Sequence, residues 1–344
     1  MRYRDALPTS ALLLLACARP ATSSPVPAET AVVAPIEDGF ARSEHWVPSE
    51  TGVEVFVSRV APTGPARGAV VLMHGAGSPS SAVWDLPRGC SVQAALAEAG
   101  LESFAVDVRG FGGAKWKNAP TRAEGPPAVR AVDVMPDLEA AFDFVKKRTG
   151  RDTASLVGWS WGSVVSGMFA GLHPDRVDRL ALFAPVYDRR WPTRHVERGA
   201  FRTEARALHM KWLDPDREDP EIRRAYVERL FRFVEGDELR LFNGPYRDVY
   251  GEDAPVWDPA LVKAPTLVIR GSDDRASLRP HALALFDALE HAPSSGYLEL
   301  SDAGHFAFRT RRCKALQSAL RDFLADGTES STSPSASPDV SGGY

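Results

Sequence analysis

Along the middle of the chain, short apolar runs alternate with longer stretches of helical period. Residues 53–60 are rich in β-branched side chains and predict a strand. Ala69-Val70-Val71-Leu72-Met73 is apolar without a break, the pattern of a strand covered on both faces. Residues 91–100 have helical spacing and stop at Gly100. Further strands are expected at 102–108, 154–157, 180–183, 266–269 and 297–300, and further helices at 129–148, 164–172, 278–289 and 313–324. Within 129–148, Leu138, Ala141, Phe142 and Val145 share one face. Strands separated by helices imply crossover connections, so the fold class is α/β, with a mostly parallel sheet and helices on both faces.

Residues 187–258 break the alternation. The stretch has little β-run and much charged, amphipathic sequence, and prolines at 192, 215, 220, 245 and 255 cut it into short pieces. A compact domain does not carry a structureless loop this long. It is expected to be a mainly helical cap over one edge of the sheet, with the core made of 43–186 and 259–326.

Both ends differ from the middle. Arg2 and Arg4 precede an apolar run at 11–16, then Cys17. That is the layout of a secretory signal over 1–16, too short to span a bilayer as a helix. Leu14-Leu15-Ala16-Cys17 resembles the lipobox of bacterial lipoproteins. The resemblance implies cleavage before Cys17 and acylation of its thiol, hence export and a lipid anchor to a bacterial membrane, at the periplasmic face or the outer membrane. Residues 17–42, rich in Ala, Pro, Ser and Thr, are expected to be a flexible tether, and 327–344 a disordered tail.

Composition narrows the function classes. The chain of 344 residues is 44% hydrophobic, enough for a sizeable core. Its net charge is −4, with no positive field to hold nucleic acid. Three cysteines exclude a four-thiolate zinc site.

Gly158-Trp159-Ser160-Trp161-Gly162 fits G-x-S-x-G, directly after one predicted strand and directly before a helix. So tight a turn pushes Ser160 out at the carboxyl end of the sheet, near a helix N-terminus. A nucleophilic serine needs a base, and the base needs an orienting acid. Among 8 histidines, His305 follows the last predicted strand and can reach the same edge. The acid is expected between Ser and His in chain order, in Ser272-Asp273-Asp274. Asp274 is favoured and Asp273 competes, since successive side chains on an extended segment point opposite ways. His74-Gly75-Ala76-Gly77 follows another strand, and a Gly-rich turn there can aim an N–H at an oxyanion. The expected oxyanion donors are the N–H groups of Ala76 and Trp161, with His74 as a structural support of the turn. Trp159, Trp161, Trp191, Trp212 and Trp257 are either pocket walls or cap-to-core packing.

The His74-Gly75 turn, Asp107-Val108-Arg109-Gly110-Phe111-Gly112, the Ser160 elbow, Asp274 and Gly304-His305 occur in the order of the α/β-hydrolase superfamily, which the chain resembles over residues 53–324. The resemblance implies a mostly parallel sheet of about eight strands, a cap at 187–258, and no cofactor or metal for catalysis. The turn after His74 lacks the Gly-Gly-Pro common in proline aminopeptidases, while Ser160-Trp161-Gly162-Ser163 looks like their elbow. A serine where epoxide hydrolases and haloalkane dehalogenases carry Asp argues against their chemistry. In such a fold the first and last helices lie side by side. Cys90 and Cys313, which open them, are therefore either a disulfide or two buried thiols.

These residues together point to a serine hydrolase that cleaves a carboxylic ester of a small or lipid-like molecule through an acyl-enzyme. The alternatives are a serine aminopeptidase or amidase, and a catalytically silent, surface-anchored binding module. Oligomeric state is open at this level.

Overall fold

The computed structural model describes residues 29–33, 38–187, 199–211, 217–252 and 254–326. Cys17, most of the expected tether, Trp191, Trp212 and the expected tail lie outside them. Strands β1 (Glu29–Val33), β2 (Ala41–Pro48), β3 (Val53–Ala61), β4 (Gly68–Met73), β5 (Leu101–Asp107), β6 (Lys115–Trp116), β7 (Ala154–Trp159) and β8 (Val177–Phe183) precede the cap. Helices α1 (Ser80–Val83), α2 (Val92–Glu98), α3 (Met135–Thr149) and α4 (Trp161–Leu172) are interleaved with them. The cap holds β9 (Phe201–Ala205), α5 (Arg206–Lys211), α6 (Pro220–Leu230), β10 (Glu238–Phe242) and α7 (Gly244–Tyr250). The chain then returns to the core with β11 (Thr266–Gly271), α8 (Arg279–Asp287), β12 (Ser295–Leu300) and α9 (Cys313–Ala325).

The main sheet runs β1-β2-β3-β5-β4-β7-β8-β11-β12, with β6 paired to β3. From β5 to β12 every neighbour is parallel, while β1, β2 and β3 are antiparallel to their neighbours. Without β1 and the two-residue β6, the sheet has the eight strands that the resemblance implies.

Burial explains the unbroken apolar runs. In β4, Val71 and Met73 pack into one core with Leu138, Phe142 and Phe169 of α3 and α4. Val70 and Leu72 point to the other face, against Leu96 of α2 and Leu316 and Leu320 of α9. A strand with a helix layer on each side has no wet face, so it shows no alternation. The helix ends are specified locally. Ser91 caps α2 by accepting from the Ala94 N–H at 2.9 Å, and α3 carries Pro136 in its first turn and stops at Gly150, φ 73°.

Three features depart from the sequence-based expectation. The first is β1, which lies inside the stretch expected to be a tether and pairs with β2 from Glu29↔Trp46 to Val33↔Arg42. Thr30-Ala31-Val32-Val33 is a short β-favouring run beside an open strand edge, and such an edge recruits it. The second is β2 itself. It was hidden because Arg42 and Glu44 are buried there, as ion pairs with Asp85 at 2.9 Å and with Arg232. The third is the cap, whose described residues add the antiparallel pair β9–β10 to α5, α6 and α7. Polar alternation in Arg202, Glu204 and Arg240 masks those strands.

The order of the strands positions the site. After β4 the chain first adds β5 on one side and then β7 on the other. Open α/β sheets bind ligands at the carboxyl ends of the strands where this reversal occurs. Here those ends are His74 after β4 and Ser160 after β7.

Candidate active site

Ser160 sits between β7 and α4 with φ 57° and ψ −121°, a conformation rare for a residue with a side chain. Its N–H donates to the Phe183 carbonyl at 2.9 Å, which pins the turn to β8. The flanking glycines are required by space. A Cβ at Gly158 would meet the Gly162 carbonyl oxygen at 2.3 Å, and one at Gly162 would meet the His74 carbonyl oxygen at 2.4 Å. Strand, elbow and helix therefore close on each other only with Gly at both positions.

Three of the expected residues form one chain of hydrogen bonds. Ser160 Oγ lies 2.9 Å from His305 Nε2. His305 Nδ1 lies 2.8 Å from Asp274 Oδ2. An ionised carboxylate only accepts, so the Nδ1 proton points at Asp274 and the Nε2 lone pair faces the serine hydroxyl. The other Asp274 oxygen accepts from the N–H groups of Ala276 and Ser277, both at 2.8 Å. Asp273 turns the opposite way, to Arg217 at 2.8 Å, with its side chain 43% exposed. The adjacent pair is thus split by the turn that follows β11, closed by the Asp274 N–H on the Gly271 carbonyl at 3.1 Å, with Asp274 inward.

Ala76 and Trp161 both border the cavity in front of Ser160. Trp161 opens α4, so its N–H has no acceptor within the helix. His74 is fully buried, its Nδ1–H donates to the Gly75 carbonyl at 2.8 Å, and its ring packs on Phe111 at 4.3 Å. Burial lowers its pKa to about 4, so the ring is a neutral brace of the turn. Of the other histidines, His173 faces Glu139 at 3.2 Å, and His291 donates to the Ala260 carbonyl. His195 lies outside the described residues.

The tryptophans divide between the two roles. Trp159 borders the cavity and donates its Nε1–H to the His305 carbonyl at 2.9 Å, which fixes the loop that carries the imidazole. Trp161 points its ring into the core and donates to Asp248 of α7 at 3.0 Å. Trp257 packs against Gly167 of α4. Asp248 also accepts from the Ala131 N–H at 2.6 Å and pairs with Arg130, although burial raises its pKa. These contacts clamp the cap to the core beside the elbow.

Cys90 and Cys313 are joined as a disulfide, with Cα atoms 5.4 Å apart. It holds the start of α2 against the start of α9, just beyond the His305 loop. Among the described residues, no group of three or more His, Cys, Asp or Glu side chains is placed to hold a metal.

The cavity has a volume of about 450 Å³ and is roofed by the cap. Its walls are largely Trp159, Val186, Tyr226, Leu241, Val249 and Phe306. The sequence reading missed a polar group that also borders it: Arg202, Glu204, His209 and Arg309. Arg202 contacts Glu204 at 3.1 Å, and His209 Nε2 lies 3.5 Å from the same carboxylate. Burial lowers the His209 pKa, against the pull of Glu204. No local motif marks these residues, because three come from the cap and only folding brings them over Ser160. Tyr226 of α6 shares a 2.5 Å hydrogen bond with Ser78, in the turn that carries Ala76.

Residues 64–298 match the family described as serine aminopeptidase S33, a hydrolase family, and the chain belongs to it. Among curated proteins, epoxide hydrolase 3 of Siraitia grosvenorii is 28% identical over 137 residues, which cover 40% of this chain and 37% of that protein. Among solved structures, the monoacylglycerol lipase of Paleococcus ferrophilus aligns with TM-score 0.57 and 19% identity, over 80% of this chain and 99% of that one. Est1E of Butyrivibrio proteoclasticus, solved with ferulic acid bound, aligns with TM-score 0.56 and 14% identity, over 82% and 98%. At these identities the likeness establishes the α/β-hydrolase fold.

Proposed function

We propose that this member of the serine aminopeptidase S33 family is an esterase that works through an acyl-enzyme. The observation that carries this is the continuous path Ser160–His305–Asp274, with distances of 2.9 and 2.8 Å, at the floor of a mostly apolar cavity. Ser160 Oγ attacks the ester carbonyl carbon while His305 Nε2 takes its proton. The tetrahedral oxyanion is received by the N–H groups of Ala76 and Trp161. The C–O bond to the alcohol breaks, and His305 returns the proton to the departing oxygen. Water, deprotonated by His305, then attacks the acyl carbon; the bond to Ser160 Oγ breaks, His305 returns the proton to Oγ, and the acid leaves. Asp274 stabilises the imidazolium in both halves.

Glu204 supports an ester over an aminopeptidase substrate. An aminopeptidase must meet a free ammonium group, and the carboxylate in this cavity is already engaged by Arg202 at 3.1 Å. Epoxide hydrolysis is disfavoured because the elbow carries Ser160 and not a carboxylate. A lipid anchor on Cys17, which the lipobox-like sequence implies, would hold this activity at a membrane surface, and the mostly apolar cavity supports small or lipid-like esters.

The test combines labelling with a substrate panel. A fluorophosphonate should label the wild-type protein and not Ser160→Ala. Esters should then be turned over faster than aminoacyl amides of matched size. Labelling that persists without Ser160, or faster amide cleavage, would overturn the assignment.

A further inference from the structure

Arg309 lies one short 3-10 turn beyond His305, in Ala307–Arg309, and is 4% exposed. It borders the same cavity as Ser160 and His305. Its guanidinium lies over two aromatic rings, with Cζ 4.0 Å from the centre of Phe306 and 4.6 Å from that of Tyr226. Nε is 2.8 Å from a Glu218 carboxylate oxygen, an ion contact without the alignment of a hydrogen bond. Among the described residues, no acceptor takes a hydrogen bond from its two terminal nitrogens. Arg202, across the cavity, is different: its nitrogens donate to Glu204, to Asn243 at 3.1 Å and to Tyr246 at 2.8 Å.

A buried guanidinium with unused donors is unfavourable unless something meets it. The planar fork matches a carboxylate, to which it can give two parallel hydrogen bonds. The two rings against the cation keep water off it and strengthen its field in the cavity. Glu218 takes the Nε side and leaves the terminal pair for a second acceptor.

We infer that Arg309 receives a free carboxylate at the end of the substrate remote from the scissile bond, so that the preferred esters are half-esters of dicarboxylic acids. This rests on the ester reading above for the reacting end, and on the Arg309 geometry alone for the far end. The apolar walls between the two ends would take the methylene chain.

The experiment reads binding without turnover. In Ser160→Ala protein, calorimetry compares monomethyl succinate, glutarate and adipate, each against its dimethyl ester, at neutral pH. At least one half-ester should bind about tenfold or more tightly than its diester, the discrimination expected of a charge-assisted hydrogen bond. Arg309→Met should remove that preference and Arg309→Lys should keep part of it. Arg309→Met also removes the Glu218 ion contact and can unfold the protein, so Arg309→Met/Glu218→Gln is measured beside it. Equal affinity within every pair, no binding of any, or a preference that survives in the double variant overturns the inference. Turnover by wild-type protein is measured separately. Its absence would sink the esterase reading and leave the binding result standing.

Discussion

Asp274 gives one carboxylate oxygen to His305 at 2.8 Å and the other to two backbone N–H groups of its own turn. The second set of bonds is what makes the first reliable, because it fixes the carboxylate plane and leaves one oxygen facing the imidazole. Asp274→Asn should therefore lower kcat by about four orders of magnitude, since an amide cannot stabilise the imidazolium and favours the wrong tautomer. Asp273→Asn should change kcat by less than about tenfold, because that side chain faces Arg217 near solvent. Steady-state kinetics on the two variants decides the assignment, and a reversed order would move the acid to Asp273.

The Cys90–Cys313 bond closes a loop with a sequence separation of 223. A disulfide typically stabilises a fold by about 2–4 kcal/mol. Cys90→Ala/Cys313→Ala should lose about that much in urea unfolding, compared with oxidised wild type. An unchanged midpoint would mean that the bond constrains little of the unfolded chain.

The neutral His74 makes stability depend on acid. Its pKa in the fold is lowered to about 4 by burial, against an ordinary value of 6.5. Above pH 6.5 the ring is neutral in both states and its contribution is fully present. As pH falls toward 4, the unfolded chain takes up the proton first and the fold loses up to about 3 kcal/mol. Unfolding midpoints at pH 7, 5.5 and 4 should fall in that order, and His74→Asn should flatten the part due to this ring.

Cys17→Ser should release the protein from membranes of its native host. The motivation is the lipobox-like Leu14-Leu15-Ala16-Cys17. Among the described residues no helix is long and apolar enough to cross a bilayer, while an acyl chain contributes about 0.8 kcal/mol per buried CH₂. Membrane fractionation of the variant is the check, and a protein that still sediments with membranes would rule the anchor out.

The sequence by itself determined the parts whose physics is local. Unbroken apolar runs marked the strands covered on both faces, from Ala69-Val70-Val71-Leu72-Met73 to residues 266–269, because two-sided burial leaves no room for polar positions. The elbow was legible because Gly158, Ser160 and Gly162 are dictated by one tight turn, and chain order placed a base and an acid after it. Only the tertiary structure decided the rest. Asp274 could be separated from Asp273 only once the backbone gave each a direction, and Cys90 could be joined to Cys313 only once α2 and α9 lay together. Strand β2 was invisible because the charges it buries have partners far away in the sequence, in Asp85 and Arg232. The same holds for Arg202, Glu204, Tyr226 and Arg309 around the cavity: their meaning comes from what the cap brings over Ser160, and spacing along the chain carries no trace of contacts made through space.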